Sequence, residues 1–266
     1  MAGEKPHPRV DVLCRASTDG ATLAPCGPLR SGRPPVGEPA PLDAGALRYD
    51  AVVLAGGQAR RFGADKLAAE LAGRRLLDHA LLTLAGLRSP AAPPQRFVVV
   101  GPPRPTPPGL TVHWCREDPP GGGPLAAVGA AAPLVTAPWV VIVAGDMPLA
   151  GLAVPGLLAA VAGAPQPTLD GSVLVSADGH LQPLTCLLRR TVLRDRLAQL
   201  APLPGLPARA LLEGLRIAAV PEPAGLGWSV DVDRPDDLTV AGPLVHPDHD
   251  LAVAGPLVAR AAEQSP

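Results

Sequence analysis

Three short apolar runs in this chain stop abruptly at glycine, and they constrain the fold more than any other feature. Tyr49-Asp50-Ala51-Val52-Val53-Leu54-Ala55 runs into Gly56-Gly57. Phe97-Val98-Val99-Val100 runs into Gly101-Pro102-Pro103, and Trp139-Val140-Val141-Ile142-Val143-Ala144 into Gly145-Asp146-Met147-Pro148. Runs of this length without polar alternation suit strands covered on both faces, the environment of a parallel sheet. Between the first two, Leu76, Leu77, His79, Ala80, Leu81, Leu84 and Leu87 recur at helical spacing.

Further elements follow the same alternation. A short strand is expected at Val112-His113-Trp114, then helices over 125–132 and 152–161 and strands over 172–175 and 181–188. Helices are expected near 191–200 and 208–215. Trp228-Ser229-Val230-Asp231-Val232-Asp233 reads as a late strand, with a helix starting at Pro235-Asp236-Asp237. Strands alternating with helices imply an α/β fold: three α/β/α layers around a mostly parallel, Rossmann-like sheet. Such sheets bind ligands outside the carboxyl ends of their strands. Gly56-Gly57, Gly145-Asp146 and the pair Asp231 and Asp233 all fall at expected strand ends.

Residues 1–48 differ from the rest. Ser31-Gly32-Arg33-Pro34-Pro35-Val36-Gly37-Glu38-Pro39-Ala40-Pro41 has no periodicity and breaks both helix and strand. The expected organisation is a disordered leader over 1–48, one domain over 49–241, and a tail or short helix over 242–266.

Composition removes several classes of function. The formal net charge is -1, with no basic stripe of the kind nucleic-acid binding requires. No apolar run reaches the ~18 residues of a membrane span, and no secretory h-region opens the chain. The cysteines Cys14, Cys26, Cys115 and Cys186 form no C-x-x-C pair and have no histidines at zinc-finger spacing. Isolated thiols fit a reduced, cytoplasmic setting.

The chain has two lysines, Lys5 in the leader and Lys66. Lys66 closes the loop Leu54-Ala55-Gly56-Gly57-Gln58-Ala59-Arg60-Arg61-Phe62-Gly63-Ala64-Asp65-Lys66. The adjacent glycines let the backbone turn tightly and aim N–H groups at an anion. Arg61 and Lys66 add cationic side chains, so the loop suits a triphosphate. It fits neither the Walker pattern nor the dinucleotide pattern G-x-G-x-x-G.

Asp146, at the end of an apolar run, is costly to desolvate without a partner. Either it binds Mg²⁺ together with substrate phosphates, or it caps a following helix. Either Asp231 or Asp233 is a second carboxylate on the metal, or Asp233 caps the following helix. Asp118 either meets the nucleotide or shapes the Pro119-Pro120-Gly121 turn. Gln182 is a site residue or a polar edge-strand residue. His79, His113 and His180 are scattered and read as structural or surface residues, and Cys186 as core.

The full loop string, L-A-G-G-x-x-x-R-x-G-x-D-K, resembles the signature of the molybdenum cofactor guanylyltransferase family, the MobA-like NTP transferases. Ala59 and Phe62 stand where that family commonly has serine and methionine. Further segments resemble the family in order: Asp118 with Gly123-Pro124-Leu125-Ala126, Val143 to Pro148, Gln182-Pro183-Leu184, and Asp231 to Leu238. The chain lacks asparagine altogether. Gly101-Pro102-Pro103-Arg104 therefore stands where the family often uses an asparagine to contact the nucleotide.

The resemblance implies a nucleotide-diphospho-sugar transferase type of sheet and a nucleotidyl transfer reaction. It implies that Leu54, Ala55, Gly56, Gly57, Lys66, Asp118 and Asp146 bind nucleotide. Arg61, Lys66 and Asp146 would be catalytic, with Asp146 and Asp233 on Mg²⁺. GTP would be the donor and molybdenum-bearing molybdopterin the acceptor. Molybdoenzymes or other cofactor-biosynthesis proteins would be partners. The alternatives are CTP with molybdopterin, another phosphorylated acceptor such as a sugar phosphate or phospholactate, and a nucleotide-binding module without turnover.

Overall fold

A computed structural model of the chain describes residues 12–14, 24–25, 47–57, 62–87, 91–164 and 168–245. The strands are β1 Val12–Cys14, β2 Ala24–Pro25, β3 Tyr49–Leu54, β4 Glu70–Leu71, β5 Arg74–Arg75, β6 Phe97–Val100, β7 Val112–Cys115, β8 Trp139–Ala144, β9 Gly171–Val175, β10 Leu181–Arg189 and β11 Ile217–Pro221. The helices are α1 Leu76–Ala85, α2 Pro124–Ala131, α3 Val154–Ala162, α4 Arg190–Leu200 and α5 Asp237–Ala241.

Among the described residues, nine strands form one sheet in the order β2-β1-β11-β9-β10-β8-β3-β6-β7, and β4 and β5 form a separate hairpin. The four strands β8, β3, β6 and β7 are parallel to one another. β10 runs antiparallel to both its neighbours, β8 and β9. The sheet is therefore mostly parallel, as the alternation of apolar runs and helical segments requires.

β3 shows why the layers form. Its side chains alternate between faces. Ala51 and Val53 join one apolar cluster with Leu77, Leu81 and Leu84 of α1 and Leu157 and Leu158 of α3. Val52 joins the opposite cluster with Leu125 and Val128 of α2 and Leu193 and Leu197 of α4. Both faces are dry, so the strand sequence is apolar at consecutive positions. Each fully buried Val or Leu contributes roughly 1.5–3 kcal/mol relative to leaving it in water.

Some expectations need correction. The span 228–233 is not a strand: Val230 N–H bonds to the Gly227 carbonyl, and Val232 N–H bonds to the Asp146 carbonyl. The last strand is β11 instead, parallel to β9. Over 208–215 only a single 3-10 turn forms, at Ala208–Leu211. In the leader span, β1 pairs in parallel with β11 and β2 with β1, at the sheet edge. Most of the remainder of 1–48 lies outside the described residues, as does 246–266 of the expected tail. Gly242–Leu244 forms a 3-10 turn. No helix among the described residues is long and apolar enough to cross a membrane.

Candidate nucleotide site

The glycine loop leaves the carboxyl end of β3 between two flanking strands that are themselves cut back to glycine. A Cβ at Gly101, after β6, would lie 2.3 Å from the Ala55 carbonyl oxygen. One at Gly145, after β8, would lie 3.0 Å from the Leu54 carbonyl oxygen. Gly145 N–H instead bonds to that Leu54 oxygen at 2.9 Å, and Ala55 N–H bonds to Val100 O at 2.8 Å. The exit of the loop is thus fixed by close backbone approach on both sides. Gly57 has φ +122°, a conformation open to glycine.

Downstream, the loop is tied back by Arg104. Its Nε and Nη2 donate to the two carboxylate oxygens of Asp65 at 2.8 and 2.9 Å. Its Nη1 donates to the carbonyls of Ala55 and Pro102 at 2.9 and 3.1 Å. The fork holds Asp65 in bidentate geometry. Asp65 in turn caps the 3-10 turn Lys66–Ala68 by accepting from Leu67 N–H. The Arg104 guanidinium holds the Asp65 carboxyl below the usual carboxylate range, against partial burial. Arg104 therefore connects β3, the segment after β6 and the residue next to Lys66. The sequence offered a signal for it, because Arg104 stands in the segment where the missing asparagine was expected.

Lys66 points from that turn onto two acids. Its Nζ lies 2.6 Å from Asp146 Oδ2 and 2.8 Å from Asp233 Oδ1. Burial works against the ammonium, but the charges and hydrogen bonds of Asp146 and Asp233 outweigh it, and the Lys66 pKa is raised. The capping alternatives for the two acids fail. The turn after Met147-Pro148 has Leu149 at its N-cap, and the amino end of α5 has Asp236 there. It is Asp237 that accepts from the backbone N–H groups of Asp233 and Arg234. Asp231 completes the group: desolvation raises its carboxyl, and the charges of Asp233 and Asp146 raise it further.

One ammonium among three carboxylates leaves negative charge in excess. That excess fits a divalent cation. Among the described residues no three His, Cys, Asp or Glu side chains form a closed metal site. Mg²⁺ does not need one, since it typically takes one or two carboxylates and fills its shell with water and phosphate.

The other expected residues fall as follows. Leu54, Ala55, Gly56 and Gly57 line the loop's exit. Arg61 lies outside the described residues. Asp118 is exposed, next to the cis bond to Pro119, and lines a shallow cavity with Arg116, Ala126, Gly129, Ala130, Leu203 and Pro204. It has no ion pair or side-chain hydrogen bond among the described residues. The buried acid of this segment is its neighbour Glu117, 7% exposed. Cys186 is buried, and burial pushes its thiol up to about 12, which rules it out as a nucleophile at neutral pH. His79 is also buried, with Nε2 2.7 Å from the Leu71 carbonyl oxygen.

Residues 51–220 match the MobA-like NTP transferase domain family. The chain belongs to that family. A protein from Chloroflexus aggregans described as a probable molybdenum cofactor guanylyltransferase is 32% identical over 154 residues, covering 55% of this chain and 68% of the relative. Among solved structures, molybdopterin-guanine dinucleotide biosynthesis protein A from Archaeoglobus fulgidus is 20% identical. It covers 73% of this chain and 97% of its own, with TM-score 0.53. The 2-C-methyl-D-erythritol 4-phosphate cytidylyltransferase from Thermus thermophilus is 21% identical, covering 74% and 98%, with TM-score 0.52. These likenesses share the sheet architecture across guanylyl and cytidylyl enzymes. The MobA-like chain described here is a nucleotidyltransferase.

Proposed function

We propose that this nucleotidyltransferase moves GMP from GTP to the terminal phosphate of molybdenum-bearing molybdopterin, releasing pyrophosphate and forming the guanine dinucleotide cofactor. The observation that carries the chemistry is Lys66 held between Asp146 and Asp233 where the glycine loop ends. The acceptor assignment rests on the relative at 32% identity.

In this reading a phosphate oxygen of the acceptor attacks the α-phosphorus of GTP. A new P–O bond forms, the bond to the bridging oxygen of the β-phosphate breaks, and pyrophosphate leaves with that oxygen. No protein nucleophile takes part. Backbone N–H groups at Gly56 and Gly57 hold the phosphates. Lys66 exchanges its carboxylate partners for phosphate oxygens, and Arg61 adds a second cation. Asp146 and Asp233 hold Mg²⁺, which neutralises phosphate charge when bound. Catalysis is then positioning and electrostatic stabilisation. Free Cys115 and Cys186 suit a reduced cytoplasm, where molybdoenzymes or other cofactor-biosynthesis proteins would receive the product.

The test is pyrophosphate release from each nucleoside triphosphate, with and without molybdopterin and Mg²⁺. Release that needs GTP, acceptor and metal together is the expected result. Release with CTP and not GTP overturns the guanylyl assignment, and no release under any combination overturns turnover on this acceptor.

A further inference from the structure

Glu117 is a buried carboxylate on the opposite side of the glycine loop from Lys66. It follows β7, whereas Asp146 follows β8, and β3 with its loop lies between them in the sheet. Its oxygens lie 3.6 and 3.8 Å from where a Cβ on Gly56 would stand, which puts the carboxylate within van der Waals range of the glycine loop. Oε1 accepts from Gly121 N–H at 3.0 Å, which fixes the carboxylate in place. Oε2 is buried and has no hydrogen-bond partner.

A buried, unpartnered carboxylate oxygen is costly. Asp50 and Asp78 also have one such oxygen. Asp78 belongs to an ion pair with Arg75, and Asp50 sits at the amino end of β3 on the amides of Thr136 and Ala137. Glu117 alone of the three stands against the glycine loop. A negative charge there repels phosphate, so the part of a bound nucleotide that meets it must be rich in donors. Lys66 marks the phosphate end on the β8 side, which leaves the base for the β7 side.

Among the common bases, guanine presents two adjacent donors on one edge, the ring N1–H and the exocyclic amino group. We propose that Glu117 is the base-reading residue of this enzyme, accepting from both donors of guanine through its two oxygens. The proposal rests on the guanylyl reading above and assigns its specificity to one side chain. Charge-assisted bonds of this kind are the strong ones. A site built for them rejects a base that lacks the donors, because its own polar atoms are then left unpaired.

The test replaces acceptor by donor. Glu117→Gln keeps the shape and can still accept from Gly121 N–H through its carbonyl oxygen, which turns the amide N–H₂ toward the base. Xanthine carries a carbonyl where guanine carries its amino group. Dissociation constants for GTP, XTP and CTP would be measured by calorimetry with Mg²⁺ on the full chain and on the variant. The wild type is expected to favour GTP over XTP by at least about tenfold, and Glu117→Gln to lose that preference and gain XTP binding. A gain cannot come from misfolding. A variant that keeps the wild-type GTP to XTP ratio overturns the role of Glu117 while leaving the guanylyl reading intact. A wild type that favours CTP overturns both.

Discussion

β3 and β8 run side by side, and each has a carboxylate at one of the two opposite ends of the pair. Asp50, at the amino end, is 0% exposed, and its Oδ2 accepts from the backbone N–H groups of Thr136 and Ala137 at 2.6 and 2.9 Å. Asp146, at the carboxyl end, has a 24% exposed side chain and leans on the ammonium of Lys66. Asp50 is held by fixed amides that no substrate can displace. Asp146 is held by a flexible charged stem that a phosphate can draw away. The same residue type is structural at one edge of the sheet and available for chemistry at the other, and the difference lies in what satisfies the charge.

The sharpest way to break this comparison is Asp146→Asn. Activity should fall by about a hundredfold or more, the scale of losing a group that organises transition-state charge. Stability should change by no more than about 1 kcal/mol, since Lys66 keeps Asp233. Steady-state pyrophosphate release and a urea melt on one preparation read both. A large stability loss with modest kinetic effect would make Asp146 a structural acid like Asp50. Lys66→Ala should show the same pattern as Asp146→Asn.

Asp50→Ala is the mirror experiment. It strands the buried Ala137 donor and the part-buried Thr136 donor and should cost about 2–4 kcal/mol, seen as a lower urea midpoint. The kcat per folded molecule should stay within about threefold of wild type. A selective loss of kcat at unchanged stability would place chemistry at the wrong end of the sheet.

Much of the candidate site was legible because the strands that bear it are buried on both faces. Dry faces force consecutive apolar residues, and the run must end where a loop begins, so β3 and β8 delivered Gly56 and Asp146 in advance. The failures have physical reasons too. In Trp228 to Asp233, apolar and polar residues alternate like a half-buried strand, yet the backbone is satisfied by the Glu222 carboxylate on Trp228 N–H and by the Asp146 carbonyl on Val232 N–H. Tertiary partners replaced the ladder that periodicity presumes. That Glu117 and not Asp118 is the buried acid was not legible, because composition does not reveal which of two adjacent acids faces inward. The available signal was strand phase, since Cys115, two residues earlier, packs against the helix layer that includes α2.

Arg104 refines the contrast on a smaller scale, because it ties the edge that bears the candidate site with a charge rather than with amides. The Asp65 carboxyl is depressed by its Arg104 partner. A depressed folded pKa means the pair's contribution is full above the ordinary carboxylate range and is lost as pH falls through the lowered value. With Asp65 half-exposed, that contribution is about 1 kcal/mol or less. Arg104→Ala should therefore flatten the acid limb of the stability profile and leave stability above neutral pH lower by that small amount. It should also loosen the Lys66 turn, which would show as a higher KM for the nucleotide. An acid limb identical to wild type would mean that Asp65 and Arg104 are not paired in solution.

The smallest effect concerns the interior that lies between the two edges. Cys186, on β10 opposite Ile142 of β8, is fully buried, and its thiol is pushed up to about 12. The thiolate is the reactive form, so at pH 8 almost none is present, and the packed sheet blocks reagent as well. Cys115, half-buried at the end of β7, is raised more modestly, by burial and then by the charge of Glu117. Iodoacetamide labelling mapped by mass spectrometry should modify Cys115 slowly and Cys186 only after unfolding. Binding of GTP should slow Cys115 further, because a base seated against Glu117 covers that end of the strand. Labelling of Cys186 in the native state would mean that β8 and β10 separate, and the rigid frame that sets Asp146 apart from Asp50 would then be open to solvent.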